Sequence, residues 1–185
     1  MNVIFTDFDG VINTLNGTLR PREKETAKEE RIKILGDICK KYNCKVVIIS
    51  GHKDRINEET LETDLDWIQE YFKLFKKYGV EVIGRTPCMK TEIEPGIFVD
   101  IWKETEIKAY LEKHPEIEHF CILDDDDRVT FSDLEKGNFK NSDLNMFREY
   151  LISPLAYSDT DPTIVGLQES HIEEVGKILQ KKRIY

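Results

Sequence analysis

With 185 residues, 39% hydrophobic and 34% charged, the chain has enough apolar side chains for one folded domain, expected over residues 1–185, and no composition that calls for extended disorder. Its net charge of −9 disfavours tight nonspecific binding to nucleic acid, which depends on basic surface, while leaving room for a local basic groove. No apolar run approaches the roughly 20 residues of a membrane-spanning helix, and Met1 to Asp7 lacks the basic leader and long apolar core of a signal peptide, so a cytoplasmic protein with no membrane partner is expected.

Val3 to Phe5 is a short apolar run ending in Thr6-Asp7-Phe8-Asp9-Gly10, which reads as a buried strand entering a tight turn. Residues 13–30 are polar, with an Asn16-Gly17 turn signal and Pro21, and read as a loop or small flap. From about Glu23 to Tyr42, Ile32, Leu35, Ile38 and Cys39 recur at helical spacing. Lys45 to Gly51 is the clearest strand, continuously apolar and β-branched as a strand covered on both faces should be. A charged loop follows, then a helix predicted from about Leu61 to Tyr78 with Leu65, Ile68, Tyr71, Phe72 and Phe75 on one side.

Gly79 to Gly84 is the third expected strand, and the stretch with Pro87 and Pro95 reads as a loop. Glu104 to Lys113 is a short helix and His119 to Leu123 a fourth strand ending in Asp124. A fifth strand is expected within Tyr150 to Tyr157, and a closing helix from about Glu169 to Lys181. Cys39, Cys44, Cys88 and Cys121 include no pair at the two-residue separation that zinc and redox motifs favour, so they read as reduced thiols. Strands and helices that alternate, with continuously apolar strands, predict an α/β fold: a doubly wound parallel sheet covered by helices on both faces.

In such sheets ligands bind beyond the carboxyl ends of the strands. The first strand delivers Asp7 and Asp9 there, the second Ser50, and the fourth Asp124 with Asp125, Asp126 and Asp127 behind it. Carboxylates gathered at one rim repel one another unless a cation shares them, and an all-oxygen donor set suits Mg²⁺. Two aspartates one residue apart can take separate tasks, one attacking or coordinating and the other moving a proton. A lysine would complete the arrangement by neutralising phosphate charge; Lys103, ahead of the helix before the fourth strand, is the first candidate and Lys90 the second.

Asp7-Phe8-Asp9-Gly10-Val11 after an apolar strand resembles the first motif of the haloacid dehalogenase (HAD) superfamily. Ser50 resembles the second motif, Lys103 the third and Ile122-Leu123-Asp124-Asp125 the fourth, in the order the superfamily uses. The resemblance implies a three-layer Rossmann-like domain and a Mg²⁺-dependent phosphomonoester hydrolase. Asp7 would be the phosphorylated nucleophile and a metal ligand, and Asp9 the proton donor and then base, with its backbone carbonyl on the metal. Ser50 would hold phosphoryl oxygens, Lys103 would stabilise Asp7 and the phosphate, and Asp124 would bind the metal, with Asp125 or Asp127 helping through water. Gly10 to Asn13, Gly84-Arg85-Thr86-Pro87 and Gly166-Leu167 are further similar to a small branch of phosphatase-like domains related to RNA-repair proteins, although Gly51-His52-Lys53 stands where that branch tends to carry an Arg.

The segments after the first motif and before Lys103 are too short for a cap domain of any size, so a minimal cap and an open site are expected. An open site favours a phosphorylated nucleic-acid or protein end, alongside a nucleotide or sugar phosphate. The rival readings are a receiver domain, disfavoured because its phosphate-accepting Asp would fall where Gly84-Arg85 stands, and a catalytically inactive relative that binds phosphate or a partner.

Overall fold

The computed structural model describes residues 1–13, 25–100, 103–125, 144–155 and 161–181. The Asn16-Gly17 turn, Pro21, Trp102, Asp126 and Asp127 lie outside the described residues. In chain order the elements are β1 (Asn2–Thr6), α1 (Glu25–Tyr42), β2 (Cys44–Ile48), α2 (Asp66–Lys77), β3 (Val82–Arg85), β4 (Lys90–Glu94), β5 (Ile97–Asp100), α3 (Lys103–Lys113), β6 (His119–Leu123), β7 (Leu151–Ile152) and α4 (His171–Leu179).

Five strands form one sheet in the order β3-β2-β1-β6-β7, with every neighbouring pair parallel. Central β1 places Phe5 opposite Val47 on one side and Ile122 on the other. Because side chains alternate across a strand, Ile4, Val46, Ile48, Cys121 and Leu123 pack with Ile32, Leu35 and Ile38 of α1, Ile68, Tyr71 and Phe75 of α2, and Val175 of α4. Val3, Phe5, Val47, Phe120 and Ile122 pack on the opposite face with Ile107, Tyr110 and Leu111 of α3 and with Phe147 and Tyr150 of a 3₁₀ turn at Asn145–Tyr150. Burial on both faces is why these strands carry no polar alternation. The result is the doubly wound, three-layer sheet that the sequence predicts.

Boundaries shift where loops carry their own hydrogen bonds. The strand expected to reach Gly51 ends at Ile48, since Ser50 already caps a 3₁₀ turn over Gly51–Arg55 by accepting from His52 N. The helix expected from Leu61 starts at Asp66: Asn57 Oδ1 accepts from the backbone N–H of Glu59 and Thr60, and Leu61 takes φ +57.

The Pro87–Pro95 stretch was expected to be a loop, and that reading needs correction, because β4 and β5 form an antiparallel hairpin there. Its turn is closed by Gly96 N donating to Glu92 Oε1. The exposed side chains of β4 give no apolar run from which a strand could be read. This hairpin, and no larger cap, stands between β3 and α3.

Candidate active site

The chain leaves β1 toward α1 on one face, whereas the segment after β6 resumes at Leu144 and Phe147, buried on the other. Adjacent strands that exit to opposite faces leave a crevice at their carboxyl ends, the switch point where such sheets bind ligands. Asp7 and Asp124 stand one residue beyond β1 and β6 in that crevice. The ladder fixes both: Asp7 N donates to Leu123 O at 2.9 Å, and Asp124 N to Ile152 O at 3.2 Å.

Both carboxylates are buried, Asp124 fully and Asp7 with 5% of its surface exposed. Asp7 Oδ1 accepts from Phe8 N at 2.6 Å. Lys103, the first residue of α3, donates to Asp7 Oδ2 at 2.6 Å and to Asp124 Oδ2 at 2.8 Å. Burial alone would lower the Lys103 ammonium, but the Asp7 and Asp124 carboxylates outweigh it and hold it above the usual lysine range. Of the two candidate lysines, Lys103 is the one joined to Asp7; Lys90 stands on the exposed β4.

One carboxylate oxygen from each of Asp7, Asp124 and Asp125 lies within 4.8 Å of the others. Asp125 reaches this group by lying over Gly10, where a Cβ would come within 2.2 Å of its carboxylate; Gly10 also holds φ +70, which side chains rarely adopt. The Asp9 carboxylate faces another way. Its Oδ1 accepts from Asn13 Nδ2 at 3.1 Å, and its Oδ2 stands 3.5 Å from His52 Nε2. The Asp9 side chain is therefore not one of the clustered carboxylates and is turned toward the half-exposed His52; a metal bond through its backbone carbonyl is what the resemblance implies. Ser50, two residues beyond β2, is fully buried, and its Oγ accepts from His52 N at 3.3 Å, so the structure shows it as the cap of the Gly51–Arg55 turn.

Residues 3–149 match the family described as the HAD domain in Swiss Army Knife RNA repair proteins. The chain belongs to this family. No curated protein and no solved structure matches it. Membership of this HAD family supports a hydrolase-type enzyme with a phosphorylated substrate, and no helix among the described residues is long and apolar enough to cross a membrane.

HAD domains generally use Mg²⁺, and the donor set of this one fits: three carboxylates converge at a buried rim with an all-oxygen character that suits a small hard cation. Mg²⁺ there would be held by Asp7, Asp124 and Asp125. Of the residues expected from the sequence, Asp7, Lys103, Asp124 and Asp125 come together, whereas the Asp9 carboxylate and Ser50 instead meet Asn13 and His52. The sequence reading missed Asn13, which orients Asp9, and the buried pair Lys53–Glu106. Asn13 could have been found from its place four residues after Asp9 in a turn; Lys53 and Glu106 lie on unrelated elements and leave no spacing to read.

Proposed function

We propose that the chain is a Mg²⁺-dependent phosphomonoester hydrolase that works through an aspartyl phosphate on Asp7. The observation that carries this reading is the Lys103 ammonium shared between Asp7 and Asp124 at the switch point of the sheet. A nucleophilic carboxylate beside a fixed cation is suited to attack a dianionic phosphate, because the cation offsets the charge that would otherwise repel it.

In this mechanism an Asp7 carboxylate oxygen attacks phosphorus and the ester oxygen leaves with a proton from Asp9. Asp9 then takes a proton from the water that attacks the aspartyl phosphate, releasing orthophosphate and restoring Asp7. Asp9 is suited to this because its carboxylate is turned away from the acidic group and held by Asn13. Ser50 and Lys103 donate to the phosphoryl oxygens. When bound, Mg²⁺ supplies charge neutralisation for the phosphoryl group.

Among the described residues the insertion between β3 and α3 is a short hairpin, which supports a site that admits a large substrate, and the family is described from RNA-repair proteins. A phosphorylated nucleic-acid end is therefore the substrate to test first, ahead of nucleotides. The test is hydrolysis of an aryl phosphate with and without Mg²⁺ by the unmodified protein, Asp7→Asn and Asp9→Asn. Metal-dependent turnover lost in both variants supports the reading. Absence of turnover by folded, Mg²⁺-supplied protein on aryl, nucleotide and oligonucleotide phosphates would leave the binding-only relative as the better account.

A further inference from the structure

Resting on the proposed phosphatase reading, we infer that Lys53 and Glu106 are a positioning pair that sets the distance between Ser50 and Lys103. Those two phosphate donors come from separate elements. Ser50 stands two residues beyond β2, next to Ile49, whose backbone N donates to Thr6 O of β1 at 3.0 Å. Lys103 opens a helix that the chain reaches only through the hairpin, and no ladder ties α3 to a strand.

Lys53 Nζ and Glu106 Oε2 are 2.8 Å apart, with side chains only 8% and 5% exposed. Lys53 belongs to the turn that Ser50 caps, and its backbone N donates to Ser50 O at 3.0 Å. Glu106 lies three residues after Lys103, on the same helix face. Its other oxygen, Oε1, accepts from Met89 N at 2.9 Å, so the root of the hairpin meets the pair as well. Three segments with no strand pairing between them are thus tied at one carboxylate. Further along α3, Tyr110 sits edge-on to Phe5, with its hydroxyl against Gly84, where a Cβ would come within 2.6 Å. Tyr110 holds α3 to the sheet about two turns away, and the ion pair holds its first turn.

Burying two charges carries a desolvation cost that their attraction offsets only in good geometry, and apolar replacements of such pairs are often neutral or stabilising. What this pair supplies and an apolar pair does not is a bond of fixed length and direction between the Ser50 turn and the Lys103 helix. Both residues act through Ser50 and Lys103, so they are positioning residues.

The test is the double variant Lys53→Met/Glu106→Leu in the full chain. It is compared with the unmodified protein for melting temperature, kcat and KM on an aryl phosphate, and affinity for orthovanadate. The expected result is an unchanged melting temperature, kcat lowered about 10- to 100-fold, vanadate affinity lowered in parallel, and KM moved less, since a misplacement of about 1 Å can cost about 100-fold. Unchanged kcat and vanadate affinity would overturn the inference.

Should the unmodified protein show no turnover, the phosphatase reading fails and the vanadate arm decides alone. Weakened binding in the double variant then upholds the pair; equal binding, or none by the unmodified protein, overturns it. If the double variant does not fold, Glu106→Gln replaces it, keeping an acceptor oxygen while removing the charge. A lower kcat at similar KM supports the pair, and an unchanged kcat overturns it.

Discussion

Lys103 Nζ lies 2.6 Å from Asp7 Oδ2 across a separation of 96 residues, and the same ammonium reaches Asp124. One cation is therefore shared by two buried carboxylates brought in by neighbouring strands and offsets part of their charge. In Lys103→Met those carboxylates lose their partner. We expect kcat on an aryl phosphate to fall by about 10²- to 10³-fold, the range for removing one preorganised charge or donor from a site. The melting temperature should fall too, because an unpaired buried charge is left behind, and Mg²⁺ should restore more of it than in the unmodified protein. A variant with near-normal kcat would remove Lys103 from the mechanism.

Gly10 and Asp125 make a second close relationship. Any side chain at position 10 meets the Asp125 carboxylate and must also take φ +70. Gly10→Ala is expected to cost about 1–2 kcal/mol in stability from the left-handed backbone alone, and the displaced Asp125 adds a functional loss. The diagnostic readout is the Mg²⁺ concentration for half-maximal turnover, expected to rise several-fold. Loss of stability without any change in that concentration would mean that Asp125 has no part in holding the metal.

Metal binding can be followed without turnover. A cation that binds the folded chain and not the unfolded one raises the melting temperature, by about 2.7 kcal/mol of stabilisation at a concentration 100 times its dissociation constant. Mg²⁺ should therefore stabilise the unmodified protein in a thermal melt. Asp124→Asn removes one of the three clustered carboxylates and should abolish most of that shift. An equal shift in the variant would place the ion elsewhere.

The sheet was legible because its strands are covered on both faces. Val3–Phe5, Val46–Ile49 and Phe120–Leu123 carry no polar residue that could be mistaken for a solvated position, and each hands the chain to a polar residue at its end. Asp7, Ser50 and Asp124 follow from that alone. The hairpin was not legible, since β4 packs no face against the core and its Lys, Thr and Glu residues look like loop. Glu106 was not legible either. On the helix surface a glutamate is the commonest of residues, and only the fold brings Lys53 over it. Ser50 has two readings for the same reason, because a buried serine shortly after a strand end can cap the following turn, as it does here, and can also donate to a ligand.

The cysteines give a test of the core that is independent of the chemistry. Burial pushes the Cys39 and Cys44 thiols up to about 12 and raises Cys121 as well; it also raises Cys88 against the pull of Arg85, but of the four only Cys88 is exposed to a reagent. A disulfide reagent at about pH 8, near the ordinary thiol range, should titrate Cys88 rapidly in the native protein and the other three on unfolding. In the unfolded chain a thiol ionises near 8.5. Above that pH the unfolded state has lost protons that the folded state keeps, so stability falls as pH rises, until the folded thiols ionise near 12. The melting temperature should accordingly decline with pH above about 8.5. The decline should be shallower in Cys39→Ala/Cys44→Ala, even though that variant starts from a lower value because of the volume it removes. An equally steep decline in the variant would show that the alkaline loss comes from other groups, and rapid titration of more than one native thiol would contradict the burial of the three.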